Sequence, residues 1–266
     1  MPLEVVVFTD LDGTLLDHAD YAWDAAWPAL QRLKQLKIPL VLASSKTAAE
    51  IIPLHQQLDL APAPAIVENG AGIYRPDAGI DTTPSDYQRL RERLSKIDPG
   101  LRAHFTGFGD MTPFEIAAAT GLSLQQAVRA GNRQFTEPGV WAGSESALAG
   151  FIENLDAQGI KARFGGRFLT LSFGRTKAMA MAEVLKDLKA DITIALGDAP
   201  NDREMLEAAT YGVIVRNTKA KPLPQLRGEQ AGQIRRTAEE GPKGWNTAVS
   251  RLLGELGLDR EQDTHG

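Results

Sequence analysis

Val5-Val6-Val7-Phe8 is an unbroken apolar run, β-branched in its first three residues and too short to make a useful helix. Runs of this kind suit a parallel strand covered on both faces. The signal recurs at Ile38-Pro39-Leu40-Val41-Leu42-Ala43, with Pro39 where a strand can begin, and at Ala65-Ile66-Val67. It returns at Asp191 to Leu196 and at Gly212-Val213-Ile214-Val215. Between these runs the apolar residues take helical spacing over 22–36, 47–58, 177–188 and 202–209. Strands alternating with helices predict right-handed βαβ units and a doubly wound parallel sheet of the α/β class.

The alternation breaks between residues 86 and 174. Helices are expected there over 86–96 and 144–158. Thr112-Pro113-Phe114-Glu115 and Ser123-Leu124-Gln125-Gln126 each carry capping-box spacing. Short strands are expected at 133–135, 140–141, 162–164 and 168–172. The plan is therefore a discontinuous core, residues 1–83 and 177–256, interrupted by an α+β insert over 84–176. A polar, flexible tail is expected over 257–266.

The chain of 266 residues has 29 Lys and Arg against 34 Asp and Glu, a net charge of −5, so no broad basic field points to nucleic acid. It has no cysteine, which excludes thiolate catalysis and disulfides. No apolar stretch approaches the roughly 20 residues that cross a bilayer. The start Met1-Pro2-Leu3-Glu4 lacks the basic, apolar pattern of an export signal, so a cytoplasmic protein with no membrane partner is expected.

Chemistry is concentrated where strands end. Asp10-Leu11-Asp12-Gly13-Thr14 follows the first strand directly, and loops at the carboxyl ends of parallel strands are where α/β sheets place their sites. Two carboxylates two residues apart can serve as nucleophile and general acid/base, although an Asp-Gly turn is also an ordinary solvated turn. Ser44-Ser45-Lys46-Thr47 follows the second strand and opens a helix, which suits an anion as well as a simple N-cap. Gly197-Asp198-Ala199-Pro200-Asn201-Asp202 is a second acidic loop after a strand, with oxygens of the kind Mg²⁺ takes. Asp202 there could equally cap a helix. Lys177 stands at a helix start and by itself reads as a surface cation.

In this order, Asp10-Leu11-Asp12-Gly13-Thr14, Ser44, Lys177 and Gly197-Asp198 through Asn201-Asp202 resemble the four motifs of the haloacid dehalogenase superfamily of phosphatases. An insert between the second and third motifs resembles a C2-type cap, as in Cof-type phosphatases, and Glu68-Asn69-Gly70-Ala71 resembles a segment of that subgroup. Ser44-Ser45-Lys46-Thr47, Arg133 to Pro138, Gly165-Gly166-Arg167-Phe168 and Glu240-Gly241-Pro242-Lys243-Gly244-Trp245 together resemble the mannosyl-3-phosphoglycerate phosphatase family. The usual Cof motif has Gly and Arg where this chain has Ser45 and Lys46.

The resemblance implies an aspartyl phosphate on Asp10, with Asp12 as acid and then base. It implies Mg²⁺ held by Asp10, the Asp12 carbonyl and Asp198, and phosphate held by Ser44 and Lys177. Asn201 and Asp202 are expected to orient metal waters and Lys177. Ser45, Lys46, Asn69, Arg133, Glu137 and Arg167 are the substrate-binding candidates, the two arginines because a guanidinium grips a carboxylate in two places. The implied substrate is a small phosphorylated glycosylglycerate, and the implied assembly a monomer or homodimer. Alternatives are a Cof-type phosphatase of hexose phosphates or phosphorylated cofactors, a phosphomutase, and a non-catalytic sugar-phosphate sensor.

Overall fold

β-Branched runs bounded by turn residues become strands because their side chains pack well on a pleated surface. The computed structural model describes residues 4–80 and 86–258. The boundary expected at 83/84 and the tail beyond Leu258 lie outside them. The chain divides into two compact units, residues 1–43 with 181–266 and residues 44–180.

The first unit opens with β1 (Val5–Thr9), α1 (Trp27–Gln35) and β2 (Leu40–Ala43). The second runs through α2 (Ala48–Gln57), β3 (Ala65–Val67), β4 (Gly72–Arg75), β5 (Gly79–Ile80), α3 (Asp86–Leu94), α4 (Pro99–Arg102) and β6 (Phe105–Gly107). It continues with α5 (Pro113–Thr120), α6 (Leu124–Gly131), β7 (Glu137–Trp141), α7 (Glu145–Ala157), β8 (Lys161–Gly165) and β9 (Phe168–Ser172). Helix α8 (Lys177–Leu188) leads back to the first unit, completed by β10 (Ile192–Gly197), α9 (Arg203–Ala208), β11 (Tyr211–Arg216), β12 (Ile234–Glu240) and α10 (Gly241–Glu255).

In the first unit five parallel strands stand in the order β12-β11-β10-β1-β2. Val6, Val7 and Phe8 are fully buried, as the opening apolar run requires. Each such side chain contributes roughly 1.5–3 kcal/mol on leaving water. β10 and β1 are neighbours inside the five, so their ends come out side by side: Thr9 pairs with Leu196. The loops at 10–14 and 197–202 therefore leave neighbouring strands at the same edge, the usual place for a site in such a sheet.

In the second unit β3, β4 and β5 pair antiparallel. A separate antiparallel sheet has the order β6-β7-β9-β8. Its core joins Leu90 and Leu94 of α3 and Phe151 and Leu155 of α7 to Phe105, Leu169 and Leu171 of the strands. The hydroxyls of Thr112 and Ser123 each accept an amide of the following helix, as their capping-box spacing predicts, and those of Thr47 and Ser144 do the same. The architecture is thus an α/β core with an α+β insert.

Residues 133–135, expected as a strand, are not one; the Arg133 amide donates to the Gly131 carbonyl, and those of Gln134 and Phe135 go to a side chain, as described below. β12 is absent from the sequence expectations because its residues, Ile234-Arg-Arg-Thr-Ala-Glu-Glu, carry almost no apolar signal. Among the described residues no helix is long and apolar enough to cross a membrane.

Candidate active site

The chain leaving β1 is locked into a tight loop by its own backbone. The Gly13 amide donates to the Leu16 carbonyl at 2.9 Å, and the amides of Thr14 and Leu16 both donate to the Leu11 carbonyl. Gly13 has φ +79°, and a Cβ there would run into the side-chain amide of Asn217, so only glycine fits this turn. The Asp10 amide donates to the Leu196 carbonyl of β10 at 2.9 Å. Asp10 is buried and Asp12 half-buried.

Asp10, Asp198 and Asp202 are all buried, and each offers a carboxylate oxygen within 4.8 Å of the others'. Asp198 is oriented at both oxygens: Oδ1 accepts the Thr14 hydroxyl and Oδ2 the Asn217 side-chain amide, each at 2.8 Å. Asp202 Oδ2 accepts the backbone amides of Asp198 at 3.1 Å and Ala199 at 3.0 Å. Asp202 therefore holds the loop that carries Asp198, as well as standing in the acidic group. Asn201 is half-buried between them in sequence.

Like charges this close in a buried site repel strongly unless protons or a cation offset them. Carboxylate oxygens, already oriented by hydrogen bonds, are the donor type that hard divalent cations take, so these residues fit Mg²⁺.

In the second unit the Ser44 amide donates to the Ile66 carbonyl at 3.0 Å and the Asn69 amide to the Ser44 carbonyl at 2.9 Å. The Glu68 amide donates to the Lys46 carbonyl at 2.9 Å. The turn at 68–70 has positive φ throughout, 48°, 61° and 94°. It thereby ties the start of α2 to the end of β3 and brings Ser44, Lys46 and Asn69 together. The Ser44 side chain is buried and accepts the Lys46 amide at 3.2 Å, while Thr47, not Ser44, caps α2. Ser45 is exposed. A Cβ on Gly70 would run into the Thr176 carbonyl, so the segment entering α8 lies directly on the same turn. Lys177 at the head of α8 is only 1% exposed, which separates it from the surface cation a lone lysine usually is. An ammonium buried to that degree requires compensating negative charge.

Three substrate-binding candidates of the insert have different surroundings. Glu68, fully buried, accepts the amides of Gln134, Phe135 and Thr136 and the Thr136 hydroxyl. Arg133 pairs with that carboxylate at 3.2 Å and also donates to the Ser45 carbonyl. Glu137 is buried in β7, bonded to the Tyr87 hydroxyl, the Gly109 amide at 2.8 Å and Arg91 at 3.1 Å. Burial pushes the Glu137 carboxyl upward, against the pull of those donors, and burial beside Glu137 pushes the Tyr87 phenol up as well. Arg167 is exposed, donating to the Thr120 carbonyl at 2.8 Å and lying over the Phe168 ring.

Asn217 and the Thr14 hydroxyl are both oriented on Asp198; sequence marks Thr14 only as part of the first motif and does not single out Asn217. Asn217 follows β11 as Asp10 follows β1, so the strand-end rule could have found it, but one asparagine carries no spacing signal.

Residues 7–98 and 164–223 match the sequence profile of haloacid dehalogenase-like hydrolases. Solved structures share the fold. Sucrose-phosphatase from Synechocystis sp. PCC6803, in complex with sucrose and phosphate, is 20% identical, with 94% of this chain and 98% of that one covered and a TM-score of 0.63. A phosphatase of the haloalkanoate superfamily from Bacteroides thetaiotaomicron is 19% identical, with 96% of each chain covered and a TM-score of 0.65. A subclass IIB sugar phosphatase of the same superfamily is 16% identical, with 95% and 99% covered and a TM-score of 0.62.

Proposed function

The chain belongs to the haloacid dehalogenase-like hydrolases, and from that premise we propose that it is a Mg²⁺-dependent phosphatase using Asp10 as nucleophile. The observation that carries this reading is the buried group of Asp10, Asp198 and Asp202 at the edge where β1 and β10 end.

In the proposed reaction a carboxylate oxygen of Asp10 attacks phosphorus. The bond to the leaving alcohol oxygen of the ester breaks as Asp12 gives that oxygen its proton. Asp12 then takes a proton from water, the water oxygen attacks phosphorus, and the bond to Asp10 breaks, releasing inorganic phosphate. Two displacements replace one difficult one. Mg²⁺ held by Asp10, the Asp12 carbonyl and Asp198 would offset the charge of nucleophile and phosphate. Ser44 contributes a hydroxyl and Lys177 a charge to the phosphoryl oxygens, and both are already fixed by burial. Asp202 holds the acidic loop through the amides of Asp198 and Ala199, and in this proposal it and Asn201 orient the metal waters and Lys177.

For the substrate we propose a glycosyl-3-phosphoglycerate, mannosyl or glucosyl, with residues 84–176 as the specificity insert. Support comes from the sequence resemblance at Ser45 and Lys46, at 165–168 and at 240–245. Arg167, exposed and held by one backbone carbonyl, is the proposed ligand of the glycerate carboxylate. Arg133 and Glu137 have their charges engaged within the protein, so the proposal gives Arg133 the task of holding the Ser45 loop and Glu137 that of fixing α3 to the turn at Gly109.

A second reading, a phosphatase of other sugar phosphates, is favoured by the likeness to sucrose-phosphatase and to a sugar phosphatase. A phosphate-release screen with both glycosyl-3-phosphoglycerates, sucrose phosphate and simple hexose phosphates separates the two. The first reading expects the highest kcat/KM on a glycosyl-3-phosphoglycerate, and a preference for hexose or sucrose phosphate would replace it with the second.

A further inference from the structure

Helix α10 begins with Gly241-Pro242-Lys243-Gly244-Trp245, a stretch with no role in the chemistry above. Its geometry is tightly determined. Gly241 takes φ +50°, and a Cβ on Gly244 would run into the Glu239 carbonyl, so the first turn of the helix lies flat on the end of β12. This seats the Trp245 ring, fully buried, beneath the end of β1. The Trp245 indole N–H donates to the Thr9 hydroxyl oxygen at 2.9 Å, and the Thr9 hydroxyl donates to the Asp10 carbonyl at 2.8 Å.

Two features make this more than core packing. An indole N–H only donates, so the Thr9 oxygen must accept, and its single proton is thereby aimed at Asp10. Successive donors polarise one another, so the outer bond strengthens the inner one. With the Asp10 amide already bound to Leu196, both peptide groups flanking the Asp10 side chain are fixed by buried hydrogen bonds.

We propose that Trp245 and Thr9 are positioning residues that fix the Asp10 carboxylate for attack and for metal binding, which rests on the phosphatase reading above. The test compares Thr9→Val, Trp245→Phe, the double variant and Thr9→Ser. Turnover is read with p-nitrophenyl phosphate, Mg²⁺ affinity by calorimetry without substrate, and folding by thermal midpoint. Misplacing a nucleophile by a fraction of an ångström costs about ten- to a hundredfold in kcat. Thr9→Val and Trp245→Phe are each expected to lose about that, with KM little changed and Mg²⁺ bound about tenfold more weakly. Thr9→Ser, which keeps the hydroxyl, recovers most of the loss, and the double variant loses no more than the worse single one, because the two residues act as a unit.

Wild-type kcat and Mg²⁺ affinity in Thr9→Val overturn the proposal. So does a loss confined to KM or to thermal midpoint, or one that Thr9→Ser does not recover. If the wild type releases no phosphate by an Asp10-dependent route, the phosphatase reading falls by itself, and the Mg²⁺ affinities decide the positioning role: weakening in Thr9→Val upholds it, and no change overturns it.

Discussion

In the first unit Asp10, Asp198 and Asp202 lie buried beside one another, with Asp198 and Asp202 oriented by donors, whereas in the second Glu68 and Glu137 stand singly, each among donors and against an arginine. Glu68 receives amides from three consecutive residues and faces Arg133; Glu137 faces Arg91, Tyr87 and the Gly109 amide. A carboxylate surrounded by N–H groups and a guanidinium is balanced within the fold and does structural work. Carboxylates grouped with one another form the kind of donor set that a hard divalent cation takes. The surroundings of a buried acid, rather than its burial, separate a clamp from a candidate reaction centre.

That contrast fails most visibly if Asp10 behaves like Glu68. Asp10→Asn is expected to lower kcat by roughly ten-thousandfold or more while the thermal midpoint stays near that of the wild type. Activity within tenfold of wild type would erase the distinction. Glu68→Ala should do the opposite. Leaving Arg133 buried without its partner costs about 3–5 kcal/mol, measurable by urea unfolding. A change below about 1 kcal/mol would show that the clamp carries no stability.

Asn217→Ala sharpens the comparison within the first unit. It removes a donor that orients Asp198, and should raise the Mg²⁺ concentration for half-maximal activity about tenfold. Unchanged Mg²⁺ dependence would remove Asn217 from the site.

The smallest effect lies in the second unit. Burial alone would raise the Asp110 carboxyl, but hydrogen bonds from Arg91, Arg102 and the Gly107 amide outweigh it and bring its pKa from 3.8 to about 2. A depressed folded pKa means stability that is present above 3.8 and is lost as pH falls toward about 2. Thermal midpoints across that window should fall less for Asp110→Asn than for the wild type, and equal slopes would refute the assignment. Glu137 runs in the other sense. Its raised pKa gives stability that is present in acid and lost as pH rises through the folded value.

Much of the first unit was legible in sequence because its signals are local. Apolar runs gave β1, β2 and β10, and the loops at 10–14 and 197–202 follow them directly. In the second unit the capping-box spacing at Thr112 and Ser123 marked two helix starts in the same local way. Contacts across long separations were not legible. Glu68 clamps residues 134–136 from the far side of α3 to α6, and nothing near Glu68 in sequence marks it as buried. Segment 133–135 has strand composition, yet three hydrogen bonds to one side chain displace the ladder. Trp245 was visible as part of a motif, but its partner Thr9 is 236 positions away. β12 escaped because charged residues fill its half-exposed faces.

The most direct test of the central claim is to trap the intermediate. Wild-type protein is mixed with Mg²⁺ and a phosphorylated substrate identified by the release screen, quenched in acid, digested and mapped by mass spectrometry. The account predicts a phosphoryl adduct on the peptide carrying Asp10, labile to hydroxylamine and absent in Asp10→Asn. Turnover with the phosphoryl group found on another residue, or with no adduct under any quench, would contradict it.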